Sequence, residues 1–132
     1  FSRDDIKLCV GKCTQTKKHY PGFWSLPSIH IDSSESDEDA ATRLGQVKLG
    51  LASVTLSKLI GTSPTVDLGE YFFVIRDYEV GEYDGDITLN PQENTESCWC
   101  TPKAFLHLLK KEQNGEMGYC SRTFLKAEGL LE

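Results

Sequence analysis

Long apolar runs are missing from this sequence. Nowhere in its 132 residues do about 20 consecutive apolar side chains follow one another, the length a membrane-spanning helix needs. The start carries no basic n-region leading into an apolar h-region, so no signal peptide is read there. A block of Lys and Arg is missing too: 14 of them stand against 20 Asp and Glu, for a formal net charge of −6. That balance argues against broad nucleic-acid binding, which needs a wide basic face. It leaves room for one small anionic ligand, because a local field can oppose the total. Repeats, low-complexity tracts, a Gly-rich phosphate loop and Ser-His-Asp or Cys-His constellations at meaningful spacing are also absent. These absences predict one domain over residues 1–132 with no membrane partner. They place it inside the cell, in the cytoplasm first and in an organelle if a targeting segment has been removed. The chain opens on Phe1 rather than Met, which predicts a truncated or processed start.

Cysteine is present in odd number: Cys9, Cys13, Cys98, Cys100 and Cys120. An odd count without a secretory signal reads as reduced thiols. Zinc at Cys9, Cys13, Cys98 and Cys100 is conceivable. Structural zinc sites favour turns that wrap the ion, however, and these pairs read as strand residues. The expectation is small, buried, apolar side chains.

The hydrophobic pattern alternates between short strands and helices. Residues 6–10, 23–26, 53–60 and 97–100 read as strands. Residues 71–76 (YFFVIR) form a near-continuous apolar run and are expected as a central strand. Residues 79–86, acidic and with two glycines, read as a turn or loop. The acidic loop 32–39 supplies helix-start chemistry, with Ser34 or Ser36 as the cap. In the helix that follows, Ala40, Ala41, Leu44, Val47 and Leu51 form one apolar stripe. Gly50 closes that helix, and Gly45 is expected as its weak point. Thr101 and Pro102 open a second helix carrying Phe105, Leu106, Leu108 and Leu109. Residues 121–131 read as a third. Short strands interleaved with about three helices predict an α/β sandwich.

Residues 21–51 read PGFWSLPSIHIDSSESDEDAATRLGQVKLGL. Gly22, Trp24, Leu26 and Pro27, then Glu35, Arg43, Gly50 and Leu51, fall at the spacing of the Nudix signature. That signature is G-x-W-x-L-P-G-G entering G-x5-E-x7-R-E-U-x-E-E-x-G-U, where U is bulky and aliphatic. The chain resembles the Nudix family in order and spacing over nearly its whole length. Glu93 and Glu96 leading into Trp99 resemble the family's acid-rich loop. The resemblance implies an α/β/α sandwich with a mixed central sheet. It also implies helix carboxylates that hold Mg2+, which polarises a diphosphate and activates water.

Departures fall on those very carboxylates. Ile29 replaces the first box glycine. Leu44, Gly45, Val47 and Lys48 stand where the resemblance places Glu, an aliphatic residue, Glu and Glu. Leu44 and Val47 offer no donor atom, and Lys48 brings a positive charge. The first expectation is therefore a degenerate Nudix domain without metal-dependent pyrophosphohydrolase activity and with no cofactor. It would act by binding a nucleotide-like or diphosphate ligand through His30, Glu35 and Arg43, or by binding a protein in a larger assembly. The alternative is an atypical hydrolase that cleaves a nucleoside diphosphate linked to another moiety. There Mg2+ would be held by carboxylates outside the box, with Glu35, Glu93 and Glu96 catalytic, Glu93 and Glu96 as metal ligands, and Asp37, Glu38 and Asp39 nearby. Lys12, Lys17, Lys18 and His19, with Tyr20, Phe23 and Trp24, interleave basic and aromatic residues in a weak nucleic-acid or nucleotide pattern. The resemblance also implies that Arg43 holds Glu35 in a salt bridge.

Overall fold

The computed structural model describes residues 7–15, 21–67, 69 and 72–131. Among the described residues, seven strands and three helices run in the order β1 (Leu8–Cys13), β2 (Trp24–Ser25), α1 (Asp37–Leu44), β3 (Ser53–Thr62), β4 (Val66–Asp67), β5 (Phe72–Phe73), β6 (Arg76–Asp84), β7 (Asn94–Cys100), α2 (Pro102–Gln113) and α3 (Tyr119–Ala127). A single π-helical turn, Gly45–Leu49, continues α1. Three ladders form, β2-β1-β7, β3-β6 and β4-β5. Every pairing among the described residues is antiparallel, and no parallel ladder of the expected mixed sheet lies among them.

Side-chain alternation sets the layers. Leu8 and Val10 of β1 pair with Cys100 and Cys98 of β7, so these four share one face. That face packs with Trp24 against Phe105 and Leu109 of α2 and Phe124 and Leu125 of α3. The opposite face is approached by the loop that leads into β7. Gly11 is buried there, and a Cβ on it would meet Asn94 Oδ1 at 2.6 Å and Leu89 Cδ1 at 2.8 Å. Helices α1 and α3 both pack on β3. The result is an α/β sandwich.

Polar side chains seat α1 on β3. Glu38 accepts from Leu56 N at 3.4 Å, Thr42 Oγ1 donates to Val54 O at 3.2 Å, and Gln46 Nε2 donates to Ala52 O at 3.1 Å. Four helical residues advance about 6.0 Å and two strand residues about 6.6 Å, so positions four apart on the helix match alternate positions on the strand. This polar row gives partners to strand backbone groups that would otherwise need water.

The helix starts follow the sequence. Ser36 Oγ accepts from Asp39 N at 3.1 Å, and Thr101 Oγ1 accepts from Ala104 N at 3.2 Å, with Pro102 just inside α2. Three expectations need correction. Within run 71–76, Phe72 and Phe73 form the short edge strand β5, and Phe72 is 73% exposed rather than central; Tyr71 lies outside the described residues. Residues 79–84 belong to strand β6: Glu79, Glu82 and Asp84 pair with Lys58, Thr55 and Ser53 of β3, and Gly81 falls at a bulge between Glu82 and Val80. The apolar stripe breaks after Leu44: the wider i→i+5 turn resets the angular positions, and Val47 is 58% exposed. Leu51 is buried beyond the helix end, where its N–H reaches back to Gly45 O.

Gly45 is not a weak point. It is buried, and a Cβ on it would stand 2.6 Å from Val54 Cγ2. The missing side chain lets the helix approach β3.

Candidate functional site

The site is built around the segment that enters α1. Glu35 turns back on its own loop, accepting from Asp32 N at 3.1 Å. Arg43, two turns along the helix, meets it with both prongs: Nε to Oε2 at 2.9 Å and Nη2 to Oε1 at 2.8 Å. The same Nη2 donates to His30 O. The Arg43 bonds hold the Glu35 carboxyl down at about 2, so it stays ionised throughout the physiological range, and the guanidinium is pushed up in return. Arg43 thus closes the loop 30–35 against α1, the salt bridge expected from the sequence. His30 takes part through its carbonyl, while its residue is exposed.

Lys48 is the second anchor. Its Nζ donates to Ser28 O at 2.8 Å and lies 4.0 Å from Glu93 Oε1. It therefore ties the π-helical turn to the lead-in on one side and to the loop before β7 on the other. Thr88 N, in that same loop, donates to Leu49 O at 2.8 Å. Of the two later acids, only Glu93 reaches the helix. Glu96 stands opposite Lys12 of β1, 3.7 Å away, and is exposed.

The acids at the start of α1 have other partners. Asp37 receives Arg76 Nη2 at 2.6 Å and Nε at 2.9 Å, together with the Tyr78 hydroxyl, which lowers its carboxyl and joins α1 to β6. Glu38 belongs to the polar row on β3. Asp39 is exposed at the helix N-terminus, with its N–H held by the cap.

The family resemblance implies Mg2+ on this helix face, and the residues present do not fit it. Magnesium requires several hard oxygen donors in near-octahedral array. Leu44 and Val47 have none, and the Lys48 ammonium stands beside Glu93, the later acid that approaches this face. Among the described residues, no three His, Cys, Asp or Glu side chains are grouped to hold an ion. The four cysteines considered for zinc are likewise dispersed in role. Cys13 Sγ lies 3.5 Å from Ser25 Oγ, Cys98 and Cys100 pack against the core, and Cys9 pairs with Trp99 on the other face. All five thiols are free, and burial with Cys98 beside it pushes Cys100 up to about 11.

Lys17, Lys18, His19 and Tyr20 of the basic and aromatic cluster lie outside the described residues. Of the rest, Lys12 faces Glu96, Phe23 is part-buried and Trp24 is in the core.

Trp99 is the residue that sequence reading used only as a landmark. Its neighbours Cys98 and Cys100 point to the core, so Trp99 points to the opposite face, where it is 54% exposed. Two residues earlier on that face, about 6.6 Å along the strand, Ser97 pairs with Gly11, which Leu89 and Asn94 cover. Trp99 therefore flanks the loop that carries Glu93 toward Lys48. Strict alternation within SCWC was the signal that could have found it.

The comparisons agree with this geometry. A NUDIX domain model matches residues 3–120. No curated protein matches the chain. Among solved structures, the MutT protein from Methanosarcina mazei Go1 is similar at 16% identity and a TM-score of 0.67, over 92% of this chain and 79% of that one. The E. coli ORF135 protein is similar at 17% identity and a TM-score of 0.65, over 80% and 71%. DR0079 from Deinococcus radiodurans is similar at 18% identity and a TM-score of 0.58, over 92% and 74%. At such identities the structures speak for the fold alone. With a family model covering most of its length and a loop–helix–loop closed by Glu35 and Arg43 as the signature requires, the chain belongs to the Nudix family.

Proposed function

We propose that this Nudix domain does not perform Mg2+-dependent diphosphate hydrolysis and acts by binding a nucleotide-like, diphosphate-containing ligand. One observation carries the reading: the Lys48 ammonium, held by Ser28 O at 2.8 Å and facing Glu93 at 4.0 Å, occupies the helix face where the family places its ion. A fixed positive charge at that place attracts the anionic group a metal would otherwise hold. An ammonium has three donors, and the Ser28 carbonyl takes one. Trp99 supports the other half of the ligand, since an exposed indole is a stacking surface for a planar base. The atypical-hydrolase reading has less support, because of the two later acids Glu93 faces the Lys48 ammonium and Glu96 stands away from the helix, opposite Lys12.

The chain has two tryptophans, and Trp24 is 6% exposed, so fluorescence change on binding reports Trp99. Titration with ADP in EDTA is expected to quench the emission saturably. Trp99→Leu should abolish the signal, and Lys48→Met should weaken binding about tenfold or more. Absence of saturable quenching by ADP into the millimolar range would remove this reading.

A further inference from the structure

Helix α3 lies on the β3–β6 ladder over a carboxyl group that the site above does not use. Asp77 sits in β6 opposite Gly61 of β3. The fit there is close, since a Cβ on Gly61 would meet Ala127 Cβ of α3 at 2.8 Å. Asp77 Oδ2 is buried and has no hydrogen-bond partner. The groups around it offer no compensating cation. Its strand neighbours Arg76 and Tyr78 both point to Asp37. From α3 it is faced by the Cys120 thiol, itself pushed up by burial and by Asp77. Lys48 acts on Cys120 and is held by Ser28 and Glu93. No cationic side chain among the described residues pairs with Asp77.

We infer that Asp77 is a proton-linked latch: its neutral carboxyl lets α3 seat on the ladder, and its ionisation loosens that seating. An isolated carboxylate is costly to bury, whereas a neutral carboxyl is far less so. Desolvation accordingly pushes Asp77 up to about 6 from the ordinary 3.8. The sign follows from proton binding. Between about pH 3.8 and 6 the folded state holds a proton that the unfolded state has lost, so stability falls as pH rises through that window. The latch also touches the candidate site, because Cys120 bonds the Ser28 hydroxyl and Ser28 holds Lys48. It stands on the buried, unpartnered Asp77 Oδ2 on the face that α3 covers and does not depend on the binding function proposed above.

Urea denaturation of wild type and Asp77→Asn across pH 4 to 7.5 tests it. The ratio of folding constants, variant over wild type, is expected to grow by roughly ten- to a hundredfold across that range. Hydrogen exchange, corrected for intrinsic rates, should show α3 amides better protected in the variant at pH 7.5, with α2 little changed. A ratio flat with pH would overturn the inference. Should Asp77→Asn fail to fold, carbon-13 titration of the wild-type carboxyls decides instead. A midpoint for Asp77 well above those of the exposed aspartates supports the latch, and one near 4 or below contradicts it.

Discussion

Replacing both Val47 and Lys48 with glutamate is expected to raise the Mg2+ affinity of the domain far above that of the natural protein. Val47 is 58% exposed, so the first change disturbs no packing. The second removes the ammonium that bonds Ser28 O and faces Glu93, and leaves a carboxylate there. Together they shift the local charge by about three units toward negative. At roughly 5 Å in bulk water, each unit is worth about 1.7 kcal/mol against a dication, and more where solvent is partly excluded. Even the lower figure predicts a gain in Mg2+ affinity of at least a hundredfold. Calorimetric titration should show negligible heat for the natural protein and saturable binding for the double variant. Silence in both would mean that this helix face is not where an ion can be held. Substantial binding by the natural protein would mean that Lys48 does not keep the ion out.

The second large effect concerns Gly45, and its sign runs against helix propensity. On propensity alone Gly45→Ala should stabilise by up to about 1 kcal/mol. Its φ of −59° gives alanine no backbone strain. Yet the new Cβ would stand 2.6 Å from Val54 Cγ2, with Leu51 Cβ at 3.4 Å. Val54 is itself buried, at 8% exposure, and has little room to yield. Overpacking should win, and Gly45→Ala should lose about 1–3 kcal/mol of stability. Gly45→Val should lose more, and urea denaturation measures both. A stabilised alanine variant would show that the close approach of α1 to β3 is not required.

These two cases mark where sequence reading succeeds and where it stops. The Glu35–Arg43 clamp was legible through the family resemblance, and the caps at Ser36 and Thr101 because each depends on residues within one helical turn. The absence of donors at Leu44 and Val47 was legible through the same resemblance. Gly45 was misread, since its value comes from Val54 on another element, and propensity carries no record of tertiary contact. Val47 was misread because the 3.6-residue period was carried through a π-helical turn that breaks it. The acidic stretch in β6 looked like a loop; long-range pairing with β3 overrides its local composition. Trp99 was carried by the alternation within SCWC but its exposure was not, and Asp77 as a latch residue was invisible: burial without a partner is a property of assembled layers that no spacing in the chain encodes.

The central claim is that the box face binds without metal-dependent hydrolysis. Release of phosphate from a panel of nucleoside diphosphate derivatives, measured with Mg2+ or Mn2+ and again with EDTA, tests it most directly. The account predicts no metal-dependent turnover in the natural protein. Robust turnover that disappears with EDTA would contradict it.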